Sequence, residues 1–174
     1  MRRLSFVVLL SIFMLVLIAP SHTAAGPKAN RGLASVTING KKISIDYGQP
    51  EMKGRDLLGM APVGTVWRMG MNEATELKTE VALKFKDLTV KPGQYTLWAK
   101  RTGADNWKLI VNSKTGIWGT EYDSKSDLGS TPLTSTKLTP PVERFTISLS
   151  ATGNKGTLEM SWGTTKLSAS FMAQ

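Results

Sequence analysis

Residues 145–162 read F-T-I-S-L-S-A-T-G-N-K-G-T-L-E-M-S-W. Phe145, Ile147 and Leu149 alternate with Thr146, Ser148 and Ser150. That period of two puts the apolar side chains on one face of an extended strand. Gly153-Asn154-Lys155-Gly156 turns the chain, because Gly and Asn accept the positive φ that tight turns need. Leu158, Met160 and Trp162 then resume the alternation. Two amphipathic strands joined by a short turn read as an antiparallel hairpin with one packed face and one wet face.

The same grammar extends outward in both directions. Residues 35–38 and 43–47 flank Asn39-Gly40, the strongest short hairpin signal. Residues 65–69 read as strand and 70–74 as a tight turn or bulge. Val81, Leu83 and Phe85 alternate as the inward face of another strand. Lys91-Pro92-Gly93 presets a turn, and Tyr95, Leu97 and Ala99 then alternate with Thr96, Trp98 and Lys100. Residues 102–106 turn the chain into 107–112, and 113–116 turn it again towards Ile117-Trp118-Gly119. Residues 123–131 read as a polar loop and 134–138 as a short strand stopped by Pro140-Pro141. Thr164-Thr165 reads as a final turn before Leu167, Ala169 and Phe171. About nine period-2 segments at hairpin spacing, with almost no helical period, define an all-β chain: an antiparallel β-sandwich or flattened barrel. Ile45, Leu83, Phe85, Leu97, Leu109, Ile147, Leu149, Leu158 and Leu167 are the expected core.

The ends differ from this body. Arg2 and Arg3 precede a nearly unbroken apolar run over residues 4–18, Pro20 ends it, and Thr23-Ala24-Ala25 supplies small residues before Gly26. This is the layout of a cleaved secretory signal peptide, and the run is short for a membrane span. The expected plan is a signal peptide over 1–25, a flexible arm over 26–34 and a β-sandwich domain over 35–174. The product is expected in the periplasm or outside the cell, meeting a membrane only through the leader before cleavage.

Composition then narrows the chemistry. The chain has no Cys, and its one His, His22, lies in the leader. The mature chain therefore lacks a Ser-His-Asp or Cys-His arrangement, the usual zinc ligands and any disulfide. The formal charge is +9, and losing Arg2 and Arg3 leaves +7. The Lys residues are scattered singly, so the excess predicts weak attraction to anionic surfaces rather than nucleic-acid binding. Asp123-Ser124-Lys125-Ser126-Asp127 puts Lys where a calcium loop needs an oxygen ligand, so it reads as a turn. No cofactor or metal is expected.

The irregular stretch at 47–75 holds the candidate site. Arg55, Trp67, Arg68, Asn72, Glu73 and Thr75 lie there among five Gly and two Pro. A guanidinium fork can grip a carboxylate, a phosphate or a pair of sugar hydroxyls, with Asn72 and Glu73 completing the ring of donors and acceptors. The alternation sends Arg68 to the face opposite Trp67, and a fold-back at Gly70-Met71 would bring Asn72 and Glu73 to it, with Arg55 nearby. The competing reading is structural: Arg68 pairs with Glu73 or Asp56 and pins the segment to the sheet. Of the five Trp residues, Trp107 and Trp162 read as core, whereas Trp98 and Trp118 are candidates for a wet, glycan-stacking surface.

Y-G-Q-P-E-M-K-G-R-D-L-L-G, V-W-R-M-G-M-N-E-A-T, P-G-Q-Y-T-L-W, W-K-L-I-V-N and W-G-T-E-Y-D stand in this order along the chain. Together they resemble the DUF2911 family over most of residues 35–171, most specifically in the W-R-x-G-x-N-E-A-T block. The resemblance implies an exported all-β domain and carries no assigned activity or catalytic residue. Three readings follow. The first is a non-enzymatic module binding a small polar ligand (glycan, phosphate or carboxylate) or an envelope component. The second is a glycan-directed hydrolase using Glu73 or Asp56 as acid/base. The third is a purely structural envelope protein.

Overall fold

The computed structural model describes residues 30–174. The expected signal peptide, and the arm up to residue 29, lie outside the described residues. Ten strands follow: β1 (Arg31–Ile38), β2 (Lys41–Gly48), β3 (Val66–Trp67), β4 (Thr75–Thr79), β5 (Leu83–Lys84), β6 (Thr89–Val90), β7 (Gly93–Arg101), β8 (Trp107–Asn112), β9 (Asp127–Thr152) and β10 (Lys155–Ala173). They form one antiparallel sheet in the order β1-β2-β4-β7-β8-β9-β10-β5-β6, with β3 added beside β7. The sheet is not closed, since β1 and β6 end the order.

The sheet doubles over through β9, which pairs with β8 over its first residues and with β10 over the rest. Tyr47 of β2 meets Phe145 of β9 edge-on, and its hydroxyl donates to the Ile147 carbonyl at 3.2 Å. Trp67 of β3 stacks on Trp162 of β10 with centroids 5.8 Å apart. The two halves thus enclose one core between them, as a sandwich does. Eight of the nine expected core residues are buried in it, and Leu149 is half-buried against it.

Several boundaries differ from expectation. Pairing starts at Arg31, opposite Gly48, so the last part of the expected flexible arm is strand. Continuing the hairpin register back from Asn39-Gly40 accounts for it: Ala34, Val36 and Ile38 keep the period, and Gly32 sits against the Tyr47 ring. β4 hides its period because Thr75 and Thr79 share the buried face with Leu77. Their hydroxyls are satisfied by the Met69 and Val81 carbonyls, at 2.6 Å each. Such bonds remove the cost of burying a hydroxyl.

The chain also runs through Pro140-Pro141 instead of stopping there. Lys137 faces Thr165 and Val142 faces Gly163, so residues 138–141 bulge opposite Thr164 alone. A bulge leaves ladder positions unpaired, which is where prolines without an N–H are tolerated. Thr164-Thr165 is likewise part of β10, with Gly163 at φ 59 carrying the irregularity. The polar loop expected over 123–131 is a single 3-10 turn (Ser124–Ser126) followed directly by β9.

The outer face of β7 is covered as well. Trp98, Ala74 and Ile110 form a second small core with Val66, Ile117 and Tyr122 around it. The covering segment, residues 113–126, is fastened by Asn112. Its amide donates to the Asp123 carbonyl and the Asp127 carboxylate, and its carbonyl oxygen accepts from Lys114 N–H. Trp98 is therefore buried, with its indole N–H on the Thr96 hydroxyl at 3.0 Å, and is no wet platform.

Candidate functional site

The stretch after β2 is held on three sides. Pro50 C=O and Met52 N–H bond to Phe145 and Glu143 of β9. Asp56 accepts from Gly59 N–H and from both the N–H and the hydroxyl of Thr164 at the β10 bulge. A side chain at 163 would run into the Asp56 carboxylate, so Gly163 makes that approach possible. On the third side the Arg101 guanidinium donates to the Gly59 and Ala61 carbonyls, while Gly64 N–H bonds to Arg101 C=O. Leu58 is buried in the main core as the apolar anchor of the segment.

Burial raises the Asp56 carboxyl, but the hydrogen bonds from Thr164 and Gly59 outweigh it and hold its pKa below the ordinary carboxylate value. A general acid needs the opposite shift.

Between this segment and the sheet lies a cleft of about 480 Å³. Arg55, Trp67 and Arg68 line it, joined by Leu57, Met71 and Trp162. Trp67 forms its inner wall, stacked on Trp162 and edge-on to Phe145 at 4.9 Å. Arg68 Nε donates to the Gly70 carbonyl at 3.1 Å, and its stem lies close against Gly119 of the covering segment. Among the described residues neither Arg55 nor Arg68 pairs with a carboxylate.

Of the other three candidates, Asn72 stays beside Arg68 through its backbone, its carbonyl and the Arg68 stem both lying against Gly119, while Glu73 and Thr75 lie elsewhere. Met69 and Asn72 take left-handed conformations, φ 52 and 62, and turn the chain back sharply. The Asn72 carbonyl accepts from Gly119 N–H at 2.8 Å. Thr75 is fully buried on Met69. Glu73 lies in a second cleft of about 340 Å³ beside Arg31, Asp46, Glu76, Trp118 and Glu121. The expected convergence is thereby corrected for Glu73: the turn at 69–72 carries it to Arg31 of β1, not onto Arg68.

Arg31 is the centre of that second cleft. Its side chain is only 8% exposed and pairs with Asp46 and with Glu73 at 3.2 Å, while also donating to the Glu73 and Ala74 carbonyls. Glu76 accepts from Gly116 N–H and Glu121 from Trp118 N–H. Glu76, on β4, thus ties the covering segment to the sheet, while Glu121 closes a turn within that segment. Among the described residues no three acidic side chains come together so as to hold a metal ion. Asp56 and Glu73 lie in different regions, and each is held by bonds within the fold.

Sequence reasoning missed Arg31, placed in the arm, and assigned Trp162 to the core alone. The hairpin register carried a signal for the first: Asp46 faces Leu33, which sets Arg31 diagonally beside it on the same face.

Fold and site together define a class: an all-β sandwich domain with an arginine-edged, tryptophan-walled cleft under an irregular segment. The chain belongs to the DUF2911 family, described as a protein of unknown function, whose family model matches residues 29–171. No curated protein and no solved structure matches it.

Proposed function

We propose that this is an exported binding module, and that its cleft takes a small anion carrying an apolar body, such as a carboxylate or phosphate on an aliphatic or aromatic group. One observation carries the reading. Two guanidiniums without carboxylate partners among the described residues edge a cleft whose wall is Trp67 and Trp162. Convergent polar groups on a mostly apolar wall are the usual make-up of a small-ligand pocket, and the volume is in the usual range. Arg supplies a planar fork for the anion, and the indoles supply apolar area. Binding is favoured over glycan hydrolysis because Asp56 and Glu73 are each held in structural bonds. Export rests on the leader-like residues 1–25, and N-terminal sequencing of the exported protein tests it, with Gly26 as the expected start.

The test of the cleft is titration calorimetry of the chain from Gly26 against aromatic and aliphatic carboxylates, inorganic phosphate and neutral sugars. Anions with an apolar body should bind, and Arg68→Lys and Arg55→Ala should each weaken them about tenfold or more. Equal binding by Arg68→Lys, or binding confined to neutral sugars, defeats the reading.

A further inference from the structure

The lysines that stand singly along the sequence do not all stay apart in the fold. Lys84 and Lys86 flank Phe85 at the end of β5, and Lys155 opens β10. Together with Phe85, Phe171 and Met172 they line a groove of about 420 Å³ whose wall is mostly apolar. The two Phe rings meet with centroids 5.5 Å apart, and Gly156 leaves room for the Phe171 ring. Pairing of Lys84 with Met172, and the bond from Ala173 N–H to the Asn154 carbonyl, bring the three lysines together from segments distant in sequence.

The charge at this end of the molecule is one-sided once every neighbouring segment is counted. Glu80 N–H bonds to the Lys42 carbonyl and Gln174 N–H to the Ala82 carbonyl, so Lys41 and Lys42 lie at the same end, as does Lys91 after β6. All six lysines are exposed, and none pairs with a carboxylate among the described residues. Glu80 and Asp87 are the carboxylates carried by these segments. Adding a terminal carboxylate at Gln174 still leaves two lysines for each acid.

Shape selects the occupant. Of the apolar groups here Met172 reaches solvent, at 37%, while the Phe85 and Phe171 rings are buried in the groove floor. A flat bilayer has little to bury on such a surface, and a polyanion gains nothing from its apolar floor. A single acyl chain can lie in the groove and bury its length there. Lysines are point charges on flexible stems and accept an anionic head without demanding one geometry.

We infer that this groove holds one long-chain anionic amphiphile, its acyl chain against Phe85, Phe171 and Met172 and its carboxylate or phosphate head among Lys84, Lys86 and Lys155. The site is separate from the cleft beside Trp67 and does not depend on what that cleft binds.

The experiment is titration calorimetry of the chain from Gly26 with dodecanoate, dodecyl phosphate, octanoate and neutral dodecyl maltoside, each below its micelle concentration. Both dodecyl anions should bind, octanoate at least tenfold more weakly than dodecanoate, and dodecyl maltoside far more weakly still. Lys84→Ala/Lys155→Ala should weaken the dodecyl anions about tenfold at an unchanged melting temperature, and Met172→Glu should weaken them further. Lys108→Ala/Lys137→Ala, which removes two exposed cations elsewhere, should leave them unchanged, as should Arg68→Lys. No binding of the dodecyl anions overturns the inference. Equal loss in both lysine double variants overturns it too, because the contact is then general charge attraction. Loss in Arg68→Lys without loss in Lys84→Ala/Lys155→Ala places the chain in the Trp67 cleft, which removes this inference and leaves the cleft reading standing. Sedimentation with phosphatidylglycerol vesicles but no binding of the monomers overturns it in favour of a bilayer. If aromatic carboxylates fail to bind the Trp67 cleft while dodecanoate binds here, the cleft reading falls and this one stands.

Discussion

The two clefts flanking the turn at 69–72 are built from similar residue types and differ in what is left over. In the acidic cleft, Arg31 faces Asp46 and Glu73, and Glu76 and Glu121 hold backbone N–H groups of the covering segment. Its charge is engaged within the fold. In the basic cleft, Arg55 and Arg68 have no carboxylate partner among the described residues, and two Trp rings stand beside them. A cluster of charged residues is thus a poor sign of a site by itself. The better sign is hydrogen-bonding capacity that the fold does not use.

The largest test removes the wall the basic cleft stands on. Phe145 is fully buried and meets Tyr47, Trp67 and Trp162. Phe145→Ala should cost about 3–5 kcal/mol in chemical denaturation, through lost burial and the cavity left behind. A loss below about 1 kcal/mol would mean the Trp pair does not depend on this packing.

Next in size is Arg31→Ala. A sealed ion pair broken on one side costs about 3–5 kcal/mol, but Asp46 is 51% exposed and water screens it. We expect about 2 kcal/mol in denaturant melts, with anion binding in the other cleft unchanged. If Arg31→Ala abolishes that binding while the fold persists, the two clefts are one functional unit and the contrast fails.

A smaller effect appears in acid. Because the folded Asp56 pKa lies below the ordinary value of 3.8, the Asp56 contribution is present above that value and is lost as pH falls through the folded pKa. Asp56→Asn should flatten this acid limb in melting curves recorded across the range below neutral pH. An unchanged acid limb would show that the tie to Thr164 does not stabilise the segment.

The smallest effect on stability should come from Arg68→Lys, within about 0.5 kcal/mol, although it weakens ligand binding. A large loss of melting temperature would move Arg68 into the structural class already occupied by Glu73.

The strand pattern was legible where apolar side chains alternate with polar ones, as in Phe145-Thr146-Ile147 or at Asn39-Gly40. It was illegible at β4, where buried Thr75 and Thr79 imitate a wet face, and at Pro140-Pro141, where a bulge removes the usual objection to proline. For the site, Arg55, Trp67 and Arg68 were found from their residue types and shared stretch. Glu73 was misplaced because two left-handed residues, Met69 among them, reverse the chain in a way the letters do not announce.

By itself, the sequence determined the all-β class, the hairpins, most of the core and the family, because period-2 alternation and turn chemistry are local and survive in any tertiary setting. The tertiary structure alone decided which faces are covered and which charges are engaged. Trp98 is dry because residues 113–126, later in the chain, fold over it. Arg31 is paired because β2 and the turn before β4 carry Asp46 and Glu73 to it. Burial and pairing depend on neighbours distant in sequence, and no local period encodes them.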